Sequence, residues 1–191
     1  MTTALLVRHA HCEPVGRRVA GRAAGVPLDA EGRRQAARLG ERLRHLPLAA
    51  VVSSPLERAA WTAVAIARPH GLTVVCDEAW SEVDVGEWTG MELTALEHDE
   101  RWRRWNHFRG GTRAPGGELM IEVQARAVAA LARLADQHRD AMVAVVSHAD
   151  VLRAVLAHHL GMSLDHLARL ELAPASVSAI EIGEWGARVV M

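Results

Sequence analysis

Three short apolar runs in this chain stop abruptly at polar residues. Leu5-Leu6-Val7 ends at Arg8-His9, Leu48–Val52 at Ser53-Ser54-Pro55-Leu56-Glu57-Arg58, and Met142–Val146 at Ser147-His148-Ala149-Asp150. Runs of this length, bounded by polar and Gly/Pro-rich sequence, read as buried strands. Between them, apolar residues recur at helical spacing, as in Ala36, Leu39, Leu43 and Leu46. Alternation of this kind predicts an α/β fold: a three-layer sandwich with a mostly parallel central sheet and helices on both faces. Ligands of such sheets bind at the carboxyl ends of the strands. The three polar terminations therefore become walls of one pocket.

The rest of the chain fits that frame. Asp29 can cap the first helix, and Pro47 stops it. Ser54 with Glu57 forms a capping-box pattern, and Pro55 suits the first position of a helix running to about Ala67. Thr73–Cys76 is a short strand. Ser81–Gly90 is turn-rich. Met91–Phe108 reads as a helix with Trp102, Trp105 and several Arg, and Arg109–Gly117 as a mobile Gly/Pro loop. Together, residues 91–117 suggest a lid. Glu118–His138 is a long amphipathic helix, and Asp150–Leu160 a helix closed by Gly161. Val177–Ile182 and Ala187–Val190 read as paired strands around a Gly-containing turn. One domain over residues 1–191 is expected.

Charge is balanced, with 22 basic against 23 acidic side chains and a formal net charge of −1. Nucleic-acid and membrane partners are not expected from such a balance, and any strong positive field must be local. Cys12 and Cys76 are too few for a metal cluster and read as reduced thiols in a cytoplasmic protein. Met1–Val7 lacks the basic start and the length of a signal peptide, and no apolar stretch is long enough to span a bilayer.

The pocket residues suit a phosphoryl group. Arg8 and Arg58 offer fork-shaped donors. Arg58 lies in the first turn of its helix, where backbone N–H groups also favour anions. His9 and His148 can serve as nucleophile, acid or donor. A leaving oxygen needs a proton, and Glu82, Asp84 and Glu87 are all candidates to give it; sequence context does not choose among them.

With these residues in place, the chain resembles the histidine phosphatase superfamily, the phosphoglycerate-mutase-like proteins, over nearly its whole length. The matching motifs are Val7-Arg8-His9-Ala10, Gly21-Arg22 with Pro27–Ala36, Ser53–Ala59, Glu82–Gly90, Pro115–Glu118 and Val146–Ala149. The resemblance implies a phosphohistidine on His9, with Arg8, Arg58 and His148 on the phosphoryl oxygens and Glu82 as general acid and base. It implies no cofactor and no metal. Ala10 and Ala149 stand where the family has Gly, and His11, Cys12 and Val15 also depart from its pattern. Arg22, Arg103, Arg104 and Ala149 are candidates for contact with the rest of the substrate, a small phosphate ester.

Mutases of the family tend to be longer, which favours hydrolysis of a phosphomonoester over phosphoryl return to a sugar acid. A third reading takes His9, His11, His148 and Glu82 as metal ligands, and a fourth makes the chain a non-catalytic phosphate binder. Trp61, Trp80, Trp88 and Trp185 suit core or interface packing. The C-terminal strand or the Trp-rich segment can support a homodimer.

Overall fold

A computed structural model describes residues 1–190. Six strands form one sheet: β1 (Thr2–Arg8), β2 (Leu48–Ser53), β3 (Val74–Cys76), β4 (Met142–Ser147), β5 (Val177–Gly183) and β6 (Gly186–Val190). Their order is β3-β2-β4-β1-β5-β6. The first four in that order run parallel, while β5 is antiparallel to β1 and β6 to β5. The six α-helices are α1 (Ala30–Leu43), α2 (Glu57–Ala67), α3 (Leu93–Leu96), α4 (Glu100–His107), α5 (Met120–Gln137) and α6 (Ala149–His159).

Alternation along the strands sorts side chains onto two faces. Leu5, Val7, Val51, Ala144 and Val146 pack under α1 and α2. Ala4, Leu6, Val52, Val143 and Val145 pack under α5 and α6, together with Trp80, Trp88 and Trp105. The three-layer α/β sandwich is thus built from two apolar layers around one sheet.

Register brings the polar strand ends together. Arg8 on β1 pairs with Ser147 on β4. The ladder continues past both strands, with the His9 N–H bonded to Ser147 O (2.9 Å) and the Ser54 N–H to Val146 O (2.9 Å). His9, Ser54 and His148 therefore emerge side by side at one sheet edge.

The α1 terminus is fixed beneath the loop that follows His9. Asp29 caps it, its carboxylate accepting from the Gly32 N–H at 2.8 Å. A Cβ on Gly32 would lie 1.9 Å from the His11 carbonyl oxygen, so only glycine allows this approach.

Several sequence expectations need correction. The helix after β2 starts at Glu57 and is capped by Leu56 without a side-chain bond, so the Ser54 capping box and Pro55 at the first helical position do not form. Ser54 Oγ is drawn to His148 instead. Met91–Phe108 is not one helix: it divides into α3 and α4, and Asp99 caps the second by accepting from the Arg101 N–H. The 109–117 loop contacts the body of the protein. Ala114 is fully buried, Arg113 pairs with Glu122, and the Glu87 N–H bonds Pro115 O. Trp80 and Trp88 are core residues, but Trp61 and Trp185 are about half exposed. No helix among the described residues is long and apolar enough to cross a membrane.

Candidate active site

A cavity of about 200 Å³ opens at the carboxyl edge of the sheet, with Arg8, His9, Arg58, Glu82 and Asp150 among the residues lining it. β1 delivers Arg8 and His9, the first turn of α2 delivers Arg58, and the segment after β4 delivers His148 as the N-cap of α6.

His9 is buried, and its Nδ1 lies 2.7 Å from the Ala10 carbonyl oxygen. A carbonyl only accepts, so Nδ1 carries the ring proton and Nε2 keeps its lone pair. Burial, with Arg58 and Arg8 adding to it, pushes the His9 pKa from 6.5 down to about 3. The ring is neutral at ordinary pH and presents an unprotonated nitrogen. The His148 ring stands 5.1 Å away, centroid to centroid.

His148 is fully buried. Burial first, then the neighbouring His9 and Arg58, hold its pKa well below 6.5. Its Nε2 lies 2.8 Å from Ser54 Oγ, and that oxygen also accepts from the Leu56 N–H at 3.3 Å. Donation of the Ser54 hydroxyl proton to Nε2 satisfies this arrangement and puts the ring proton on Nδ1. That Nδ1 has no hydrogen-bond partner and sits 3.7 Å from Glu82 Oε2.

The two guanidiniums are each half-anchored. Arg58 is buried and donates from Nη2 to Gly21 O at 2.8 Å, while its Nη1 has no partner. Arg8 donates from Nη1 to Leu172 O at 2.5 Å, and its Nε has no partner. Buried donors are rarely left unbonded. Arg8 Nε, Arg58 Nη1 and His148 Nδ1 are three such donors; Arg8 and Arg58 line the cavity with His9, and His148 packs beside the His9 ring behind it, a set of donors suited to an anion with several oxygens.

Of the three acidic candidates, the structure brings Glu82 to the cavity. Asp84 turns to the Gly86 N–H and Glu87 to Arg101 at the surface. Burial pushes the Glu82 carboxyl from 4.5 up to about 7; the Asp150 carboxylate adds to the rise and Arg58 opposes it. Such a carboxyl can give up and regain a proton near neutral pH.

Other sequence candidates lie elsewhere. Arg22 donates to the Glu82 carbonyl at 2.8 Å and pairs with Glu118 at 2.9 Å; it braces the Glu82 backbone and does not line the cavity. Arg103 and Arg104 fall on the solvent face of α4, opposite buried Trp105, and miss the cavity. Ala149 starts α6 half-buried and off the cavity wall. His11 turns away to Asp29, its Nδ1 2.5 Å from Oδ2, so the His9–His11–His148–Glu82 ligand set is not assembled. Among the described residues, no three His, Cys, Asp or Glu side chains are grouped as a metal ion would need.

Three residues take roles here that the sequence did not assign them. Ser54 orients His148. Asp150 lines the cavity and is bonded by Arg109 at 2.6 Å and Arg153 at 3.1 Å. Arg109 also lines it, with its guanidinium 3.7 Å over the Trp105 ring. Arg109 lies past the end of α4, so helical spacing gave no signal for it.

A sheet-edge cradle of two arginines and two neutral histidines beside a protonatable carboxyl defines a phosphoryl-handling α/β enzyme. A sequence model of the Histidine phosphatase superfamily (branch 1) matches residues 4–191, and the chain belongs to that superfamily. It is 35% identical over 188 residues to the probable phosphoglycerate mutase GpmB of Salmonella choleraesuis, covering 96% of this chain and 86% of that one. Its structure is similar to that of Bacillus stearothermophilus YhfR, with TM-score 0.93 and 30% identity over 99% of this chain and 95% of the other. A mycobacterial glucosyl-3-phosphoglycerate phosphatase superposes with TM-score 0.87 and 27% identity, over 98% and 96% of the two chains. The superfamily and the solved structural neighbours of this chain include phosphatases acting on phosphoric monoesters.

Proposed function

We propose that this enzyme hydrolyses a small phosphorylated metabolite in two steps through a phosphohistidine on His9, without a metal. His9 Nε2 attacks phosphorus as the ester P–O bond breaks, and Glu82 gives its proton to the departing alkoxide. Glu82, now a carboxylate, takes a proton from water, whose oxygen attacks the phosphohistidine. The P–N bond breaks, inorganic phosphate leaves, and both His9 and Glu82 return to their starting states. Arg8, Arg58 and His148 neutralise the equatorial oxygens, which is most of what phosphoryl transfer asks of a protein. The observation that carries this reading is the Nδ1–H bond of His9 to Ala10 O, which leaves Nε2 unprotonated in a cavity that His9 shares with the incompletely bonded Arg8 and Arg58.

Phosphoryl return to a sugar acid is the second reading, favoured by the likeness to a probable phosphoglycerate mutase. Hydrolysis of an aryl phosphate near pH 6, with and without EDTA, for wild type and His9→Ala, tests the proposal. Activity should survive EDTA and vanish in the variant. Loss with EDTA would overturn the metal-free route, and EDTA-resistant activity persisting in His9→Ala would overturn the nucleophile. Phosphoryl exchange between phosphoglycerates without phosphate release would favour the mutase.

A further inference from the structure

Beyond the phosphate cradle, the cavity changes character. Its outer wall carries Val15, Val19, Val85, Trp102 and Trp105. Trp102 and Trp105 are stacked, with centroids 5.3 Å apart and planes at 28°. The Trp105 indole N–H is buried without a partner. Among the described residues, two further cations line the cavity, Arg18 and Arg109. Each is already matched. Arg18 sits 2.6 Å from Glu13 and 3.7 Å from Glu92. Arg109 is held at 2.6 Å by Asp150, which also pairs with Arg153 at 3.1 Å, donates to Asn106 at 3.0 Å, and is pressed on the Trp105 face.

Resting on the hydrolase reading above, we infer that the Asp150–Arg109 pair sets the charge of the leaving group: the site takes phosphate monoesters whose alcohol is flat and uncharged, and disfavours those carrying a carboxylate. Charge pairing is the reason. A substrate carboxylate at the outer wall would need a free cation, and Arg109 is the enclosed one, its side chain only 14% exposed. To use it the substrate must compete with Asp150 or lie beside that carboxylate, where like charges repel in a partly buried site. A neutral ring loses nothing by the arrangement. It can pack against Trp102, the half-buried tryptophan of the cavity wall. Asp150 therefore acts against one substrate class while Trp102 favours another.

The test compares benzyl phosphate with 3-phosphoglycerate at one pH. Both leave as primary alcohols, so the ratio of their kcat/KM values reads the outer wall and not the chemistry of departure, and any change at Glu82 cancels. Wild type should favour benzyl phosphate by about tenfold or more, as expected for one unfavourable charge contact in a partly screened site. Asp150→Asn frees Arg109 and should move the ratio toward 3-phosphoglycerate by about tenfold. Arg109→Gln leaves Asp150 with Arg153 alone as its cation and should move it the opposite way; this variant decides the matter if Asp150→Asn does not fold. Trp102→Ala should raise KM for benzyl phosphate more than for 3-phosphoglycerate. A wild type that prefers 3-phosphoglycerate, or a ratio unmoved by both charge variants, overturns the inference while His9-dependent hydrolysis stands. Loss of His9 dependence overturns the functional reading itself.

Discussion

Replacing Glu82 with Gln should stabilise the protein at alkaline pH while removing its general acid. The carboxyl is pushed from 4.5 to about 7 in the folded chain, first by burial and then by Asp150. Its folded pKa is raised, so the folded state holds the proton over a pH range where the unfolded chain has released it. Stability from this group is fully present below about pH 4.5 and is lost as pH rises through about 7. The gap corresponds to about 3 kcal/mol. Gln keeps the shape and an oxygen to accept from the Val83 N–H, which bonds Oε1 at 3.0 Å in wild type, but it never ionises. Denaturant unfolding of both proteins at pH 5 and pH 8.5 reads the difference. Wild type should lose about 2.5 kcal/mol more than Glu82→Gln across that interval. Turnover of an alkyl phosphate should fall roughly 10²–10⁴-fold in the variant, with a smaller loss for 4-nitrophenyl phosphate, whose leaving group needs less help from an acid. In wild type the same activity should decline above about pH 7 as Glu82 ionises. Parallel stability curves for the two proteins would refute the claim that burial raises this carboxyl, and equal losses for both esters would refute its role as acid.

The histidines carry two further expectations. Ser54→Ala removes the partner of His148 Nε2; it should cost about 1–3 kcal/mol in chemical unfolding and lower kcat, with Ser54→Thr restoring part of both. His9 and His148 have folded pKa values depressed below 6.5, so the unfolded chain binds protons that the folded one refuses. Stability should therefore fall as pH drops below about 6.5, and His9→Asn should flatten that acid limb in a series of melting temperatures; an unchanged limb would show that the ring is not buried uncharged.

What sequence could and could not reveal follows from the range over which each signal acts. Strand endings are local: an apolar run meeting Arg8-His9 or Ser147-His148 marks both the element and the edge that a ligand will meet, so the cradle is legible in the order of residues alone. Choosing Glu82 over Asp84 and Glu87 was not, because all three share one turn-rich segment, and only the path of that segment across the sheet edge buries one carboxylate and exposes another. Helix faces were legible where a long apolar stripe fixed the phase, as in α5. They were not in the 91–108 segment, where Asp99 restarts the helix and resets which arginines face inward. That reset turns Arg103 and Arg104 to solvent, and the chain leaving α4 carries Arg109 back over Trp105 to meet Asp150 on α6. The residue that would govern the far end of the substrate is thus fixed by contact between segments 41 positions apart, which neither periodicity nor a short motif can report. Phosphate recognition is written in the strand ends, whereas on the inference drawn above selectivity rests on the contacts of Asp150 with Arg109 and Arg153, and a one-residue change at Asp150 should shift the preference between esters while His9 remains the nucleophile.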